Sequence, residues 1–110
     1  MFYFTYIMAS RPGGVIYTGY TNDIWRRHIE HREGTGSQYS ARYKCAQLVW
    51  FEWHQDSHSA FTRERQIKKW DREWKIDLIE ILNPEWNDLS ADLSEYVLFD
   101  PKREGPFRPE

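Results

Sequence analysis

Two tyrosines near the start of the sequence, Tyr6 and Tyr17, have side chains that can act on a water molecule. A phenol donates and accepts hydrogen bonds, and it can deprotonate water when a nearby cation lowers its pKa. The surrounding pattern predicts a β-hairpin, so we expect the two side chains to face each other. Facing tyrosines are also common packing partners, which leaves packing as the alternative to catalysis.

Arg27 and His31 form a second candidate pair, because residues four positions apart share one face of a helix. A guanidinium offers a rigid fork of donors that fits the oxygens of a phosphate group. The alternative is an ordinary solvated helix face. His28 lies about 100° further round the same predicted helix, and we expect it to be structural.

Glu64 occupies a position in a predicted helix where the apolar stripe calls for a hydrophobic residue. The stripe consists of Ala60, Ile67, Trp70 and Trp74. A carboxylate on the inner side of a helix is costly unless it is paired or bound to a metal ion. A salt bridge to a neighbouring Arg or Lys, or exposure at the edge of the stripe, would explain Glu64 as well as metal binding would.

Hydrophobic patterning predicts the elements that must position these residues. Alternating apolar and β-branched residues predict three strands, at 2–8, 15–20 and 46–54. Capping residues and helical spacing predict three helices, from about 22 to 32, from about 57 to a break near 71, and from 72 to 82. The order β-β-α-β-α-α predicts an α/β chain of the α+β kind, with a small three-stranded antiparallel or mixed sheet flanked by helices.

The connections and the first strand carry further predictions. Residues 11–14, Arg-Pro-Gly-Gly, predict a turn. If residue 9 pairs with residue 14, Tyr6 lies directly opposite Tyr17. The run 34–42 predicts a polar loop. Both faces of the first strand are apolar, which predicts a central strand covered on both sides.

Length and composition exclude several classes of protein. The 110 residues suffice for one domain with its own core. No apolar run approaches the ~20 residues of a membrane helix, and the first residues lack the features of a secretory signal. The lone Cys45 rules out an internal disulfide and a cysteine-based zinc site. We therefore expect a cytoplasmic protein in which Cys45 is buried.

The formal net charge of −2 conceals an uneven distribution of charge. Basic residues outnumber acidic ones within 1–76, and acidic residues outnumber basic ones within 77–110. An acidic end thus masks a mildly basic body, and such a body can meet a polyanion.

An ordered set of short motifs resembles the GIY-YIG nuclease superfamily, in particular its small stand-alone bacterial members. The motifs are Tyr6, Tyr17-Thr18-Gly19, Asn22-Asp23, Arg27, His31, Leu48–Glu52, Arg63–Trp70 and Asn83–Leu89. The name-giving tripeptides are altered here: the first has lost its glycine and isoleucine, and the second its isoleucine. The resemblance covers residues 1–89, which we predict to be the domain, with 90–110 as an acidic and partly flexible extension.

The resemblance implies roles for individual residues. The family's catalytic positions correspond to Tyr6, Tyr17, Arg27 and His31. The carboxylate that holds the metal ion corresponds to Glu64, and structural positions near the site correspond to Gly19 and Asn83. Phosphate contacts would then come from basic side chains, for each of which a solvated surface charge is the alternative. These are Arg26, Arg42, Lys44, Arg65, Lys68 and Lys69.

The function implied by the resemblance is hydrolysis of phosphodiester bonds by an endonuclease. One Mg²⁺ or Mn²⁺ ion is the expected cofactor, with no small-molecule cofactor and no membrane partner. DNA is the expected substrate, and repair or recombination the expected process. Two other functions remain open: a nucleic-acid-binding module that has lost catalysis, and a module whose aromatic surface binds another protein.

Overall fold

The computed structural model describes residues 2–91 and residue 93. It contains three strands, which are β1 (Tyr3–Ala9), β2 (Ile16–Thr21) and β3 (Gln47–His54). It contains four helices, which are α1 (Ile24–Glu33), α2 (Gln38–Arg42), α3 (Ser57–Lys68) and α4 (Arg72–Leu82). The predicted α+β class with three strands is confirmed. Most of the extension predicted at 90–110, including the part predicted to be flexible, lies outside the described residues.

The strands form one antiparallel sheet in the order β2-β1-β3. Strand β1 is central, as its two apolar faces predict. Phe4, Tyr6 and Met8 point to one core cluster, and Ile7 and Ala9 point to another on the opposite side of the sheet. The sheet is therefore covered on both faces, and the candidate catalytic tyrosines lie on the Tyr6 face.

The register predicted for the hairpin is wrong by two residues. Ala9 pairs with Ile16, so Tyr6 lies across from Gly19 rather than from Tyr17. The cause is the position of the turn, because all four of residues 11–14 lie outside the ladder. The Ser10 backbone N–H donates to the Val15 carbonyl at 2.9 Å and closes this turn. A shift of two residues keeps every side chain on its face. Tyr6 and Tyr17 remain diagonal neighbours, with ring centroids 6.4 Å apart.

Helix α2 is absent from the sequence-based prediction, which placed a polar loop at 34–42. The helix has only five residues, and its start is set by Ser37, whose side chain accepts a hydrogen bond from the Ser40 backbone N–H at 3.0 Å. The preceding helix ends at Gly34, whose φ of 81° is the left-handed conformation that glycine adopts at low cost. This ending turns the chain so that α2 packs beside α1 and β2.

The helices cover the two faces of the sheet. Helix α1 packs on the Tyr6 face, where Ile24 and His31 are buried. Helices α3 and α4 pack on the Ile7 face through Ile67 and Ile79. Asp23 caps helix α1, its carboxylate accepting from the Arg26 backbone N–H, and the helix begins about two residues later than the predicted 22. Asp56 caps α3, which begins at 57 as predicted.

Two further residues bear on predictions about the core. Cys45 is fully buried, as predicted, and burial raises the pKa of its thiol. Leu93, four residues beyond the predicted domain boundary, is also fully buried and belongs to the core cluster on the Tyr6 face. No helix within the described part of the chain has both the length and the apolar composition needed to cross a membrane.

Candidate active site

The Tyr6 hydroxyl is the centre of the candidate site. The side chain is 1% exposed, and its oxygen lies 2.8 Å from Nε2 of His31 and 3.4 Å from Nε of Arg27. Gly19, directly across the ladder, leaves room for it: a β-carbon on Gly19 would lie 2.5 Å from this oxygen. The hairpin and α1 thus deliver a phenol, an imidazole and a guanidinium to one point.

The hydrogen bonds at this point have a defined direction. Arg27 Nε can only donate, so the Tyr6 oxygen accepts from it. The tautomer of His31 with an unprotonated Nε2 gives the phenolic proton an acceptor at 2.8 Å, and we assign that tautomer on this ground. In it, the proton of His31 is on Nδ1 and is donated to Ser40 Oγ at 2.7 Å. Ser40 in turn donates to the Ser37 carbonyl at 3.3 Å.

Sequence reasoning missed the end of this chain of hydrogen bonds. Ser40 is fully buried, and Gly36 packs so closely on the histidine that a β-carbon there would lie 2.5 Å from His31 Nδ1. The sequence signal for this helix was Ser37, a residue type that commonly caps helices, three residues before Ser40. It was overlooked because a five-residue helix shows no apolar periodicity.

Burial sets the protonation of the two central groups. Burial raises the pKa of Tyr6 well above its usual value, and the Arg27 hydrogen bond offsets this only in part. The expectation that a cation lowers the phenol pKa therefore does not hold for Tyr6. Burial, and then the charge of Arg27, lower the pKa of His31 to about 4. At neutral pH, Tyr6 is a phenol and His31 a neutral imidazole.

Arg27 is held in a defined orientation. Its Nη1 donates to Glu30 Oε1 at 3.0 Å, while Nε donates to Tyr6. Burial would lower the pKa of the guanidinium, but these two hydrogen bonds raise it above its usual value. Because the side chain is only partly buried, the remaining N–H groups can meet a ligand.

Tyr17 lies beside this centre and is more open to solvent. Its ring centroid is 5.1 Å from that of His31, and the Lys68 Nζ lies 5.8 Å from the Tyr17 ring centroid. Lys68 extends from the end of α3, so its side chain joins the hairpin to the helix that carries Glu64.

Glu64 is 7% exposed, and its Oε1 lies 3.4 Å from Lys68 Nζ. The salt bridge considered from the sequence is therefore present, but its lysine is half exposed. Glu64 also lies close enough to Tyr6 for its charge to contribute to the raised pKa of that phenol. Glu64 is thus linked to Tyr17 through Lys68, whose Nζ lies near both side chains.

Glu64 offers a single buried carboxylate as a possible ligand for a hard cation. No group of three or more His, Cys, Asp and Glu side chains within residues 2–91 and 93 could hold a metal ion by itself. Mg²⁺ commonly binds through one or two carboxylates and completes its shell with water and substrate phosphate. The single buried carboxylate of Glu64 matches that preference, whereas a structural zinc site would need more protein ligands.

The other residues predicted for the site are more scattered. Asn83 is buried and holds the segment after α4 in place, because its Nδ2 donates to the Val49 and Asn87 carbonyls at 3.0 and 2.9 Å.

Among the basic residues predicted to contact phosphate, Lys68 lies beside Tyr17 and Arg42 lies over the ring of Tyr43. The others are exposed elsewhere, and they are Arg26, Lys44, Arg65 and Lys69. His28, predicted to be structural, is buried with Nδ1 3.3 Å from the Ile24 carbonyl.

Comparisons with known proteins identify the family of this chain. Residues 2–77 match the family model of the GIY-YIG catalytic domain. A UPF0213 protein of Haloquadratum walsbyi is 43% identical over 59% of this chain and 73% of its own length. A UPF0213 protein of Staphylococcus saprophyticus is 36% identical over 70% of this chain and 93% of its own length.

One solved structure is also similar, a solution NMR structure of a UPF0213 protein from Bacillus halodurans. It shares 26% identity and a TM-score of 0.49 over 80% of this chain and 93% of that chain. The family model spans well over half of the chain, and the Staphylococcus saprophyticus relative aligns over nearly its whole length. The chain therefore belongs to the GIY-YIG superfamily of nucleases, among the small UPF0213 proteins, and thus to a superfamily that acts on nucleic acid and generally uses divalent metal ions.

Proposed function

We propose that this protein is an endonuclease that hydrolyses phosphodiester bonds in DNA with one Mg²⁺ or Mn²⁺ ion. A cytoplasmic role in DNA repair or recombination is part of the proposal. One observation carries it: residues from β1, β2, α1 and α3 meet in a continuous series of contacts. The series runs from Glu64 through Lys68 to Tyr17, and from there through His31 and Tyr6 to Arg27.

Arg27 would hold the phosphate. Its charge is permanent, its orientation is set by Tyr6 and Glu30, and its partly exposed fork can face the non-bridging oxygens. Charge that is oriented in advance stabilises the negative charge that develops on a phosphate in the transition state. The loss of one such donor commonly costs about 3–4 kcal/mol of transition-state stabilisation.

The two tyrosines are suited to different tasks. Tyr6 keeps its proton because burial raises its pKa, so it would orient the attacking water or a phosphate oxygen rather than accept a proton. Tyr17 is more exposed and has the Lys68 ammonium beside its ring. Tyr17 would take the proton of the attacking water, directly or through hydrogen-bonded neighbours.

Glu64 would hold the divalent ion, with water and substrate oxygens as the other ligands. When bound, such an ion polarises the phosphate and stabilises the leaving oxygen. Lys68 would give up its ion pair with Glu64 on metal binding. Because the lysine is half exposed, this pair is worth about 1 kcal/mol or less, so the exchange is not prohibitive.

The test is cleavage by the purified protein of labelled single-stranded, nicked and branched DNA, with Mg²⁺ or Mn²⁺. We expect internal cuts that disappear with EDTA and in the Glu64→Gln and Arg27→Ala variants. Arg32→Ala is the matched control for Arg27, because Arg32 lies on the same helix but pairs with Asp88 at 2.9 Å. Glu52→Gln is the control for Glu64, because Glu52 is a partly exposed carboxylate paired with Arg63.

The same assay separates the two remaining functions. Binding of DNA without cleavage, under all metal conditions, would indicate a module that has lost catalysis. Cleavage that persists in both Glu64→Gln and Arg27→Ala would contradict the proposed site. A pure protein-interaction module gives no reason for Tyr17 and Glu64 to share one lysine neighbour, and this shared contact favours the nuclease.

A further inference from the structure

Three tyrosine rings are joined by successive ring contacts that begin at Tyr17 of the candidate active site. The ring centroids of Tyr17 and Tyr39 are 6.3 Å apart, and those of Tyr39 and Tyr43 are 4.8 Å apart. We call these three residues the tyrosine strip. Tyr39 and Tyr43 are 50% and 40% exposed, although rings of this size are normally used to fill a core. Both lie at or beside α2, four positions apart and thus on one side of the chain.

Two rings of the strip have a cation beside them, and the third shares a cavity with two basic residues. Lys68 Nζ lies 5.8 Å from the Tyr17 ring centroid, and the Arg42 guanidinium carbon lies 5.5 Å from that of Tyr43. Tyr39 lines a cavity of about 240 Å³ together with Arg72 and Lys75. Solvent-accessible tyrosine rings with basic side chains near them form a surface that suits a polyanion with flat, apolar groups.

We propose that the tyrosine strip binds unpaired nucleotides of single-stranded nucleic acid next to the bond that is cut. This inference rests on the proposed nuclease function, since the strip begins at Tyr17. Stacking of a base on an aromatic side chain contributes about 1–3 kcal/mol, and it needs a base whose face is free. In a duplex the base faces are covered by neighbouring base pairs, so the strip would favour a single strand, a flap or a gap.

The test is binding of the full-length protein to fluorescent oligothymidine and to a duplex of equal length, in EDTA so that no cleavage occurs. We expect tighter binding to oligothymidine. Tyr39→Ala and Tyr43→Ala should each weaken it about 5- to 160-fold, the range that corresponds to the loss of one stacked base. Tyr39→Phe and Tyr43→Phe should retain most of the affinity, because the ring and not the hydroxyl stacks. Duplex binding, which depends on phosphate contacts, should change little.

Tyr20→Ala is the matched control, because Tyr20 is 41% exposed but packs edge-on against Phe61 outside the strip. Thermal unfolding of every variant confirms that it is folded. The inference is overturned if the alanine variants bind oligothymidine like the unchanged protein, if they lose duplex binding equally, or if neither nucleic acid binds. This experiment measures binding and not cleavage. A failure of the tyrosine strip to bind oligothymidine can therefore be distinguished from a failure of the protein to cleave DNA.

Discussion

The Tyr6 hydroxyl fills the space that a side chain on Gly19 would occupy. Strand pairing places the two residues directly across from each other, and a β-carbon on Gly19 would come within 2.5 Å of the phenolic oxygen and 2.7 Å of the carbon that bears it. Close packing against the Tyr6 ring therefore requires a glycine at position 19. Its absent side chain lets a buried phenol reach both His31 and Arg27.

Gly19→Ala should displace the Tyr6 ring and break its hydrogen bond to His31. We expect the free energy of unfolding to fall by about 1–3 kcal/mol, the usual cost of overpacking a core. We also expect cleavage to fall more than tenfold. Urea unfolding and cleavage rates measure the two effects. In a Tyr6→Phe background the same substitution should cost less stability, because the oxygen nearest to the new methyl group is gone. Equal costs in both backgrounds would contradict the proposed clash.

The direction of the hydrogen bonds predicts one tautomer of His31. With Nε2 accepting from Tyr6 and Nδ1 donating to Ser40, ¹⁵N NMR of the imidazole should show a protonated Nδ1 and an unprotonated Nε2 at pH 7. Ser40→Ala removes the acceptor for Nδ1 and should give a mixture of tautomers, with a lower cleavage rate at unchanged affinity for DNA. Ser40→Thr keeps a hydroxyl and should retain the single tautomer. A protonated Nε2 in the unchanged protein would refute this assignment.

Burial of neutral His31 predicts a loss of stability in mild acid. Its pKa is about 4 in the folded protein and about 6.5 when unfolded, so the unfolded chain binds a proton first as the pH falls. The lowered pKa of His31 makes its full contribution to the free energy of unfolding above pH 6.5. This contribution, about 3 kcal/mol in total, is lost as the pH falls from 6.5 to 4. His31→Gln should flatten this part of the curve of unfolding free energy against pH. Other groups also titrate there, so the measurement is the difference between the two proteins at pH 7 and pH 5. An unchanged difference would show that His31 is not the group responsible.

Local patterns predicted the strands, α1, α3 and α4, because alternation and helical spacing follow from which face is buried. The hairpin register was missed because it depends on where the four-residue turn begins. A turn at 11–14 differs from one at 10–13 by the pairing of Ser10 with Val15, which residue types alone do not determine. Residue type and spacing singled out Tyr6, Arg27 and Glu64 in the sequence, and the resemblance to the family then implied their roles. The raised pKa of Tyr6 could not be predicted in the same way, because it depends on depth of burial, a property of the whole packed domain.

The ion pair between Glu64 and Lys68 predicts a competition between the lysine and a metal ion. The ammonium and the divalent ion need the same carboxylate, so Lys68→Ala should tighten Mn²⁺ binding, measured by isothermal titration calorimetry. An ion pair with a half-exposed lysine is worth about 0.2–1 kcal/mol, which corresponds to a change of up to about fivefold.

Lys69→Ala is the matched control for this competition. It removes the same charge one residue further along, at the exposed end of α3. If both variants tighten Mn²⁺ binding equally, the effect is one of overall charge and not of the Glu64–Lys68 pair. Glu64→Gln should abolish the binding altogether, and Mn²⁺ binding that survives this substitution would place the metal ion elsewhere. A tighter site in Lys68→Ala alone would show that the lysine holds the metal-binding carboxylate until a metal ion takes its place.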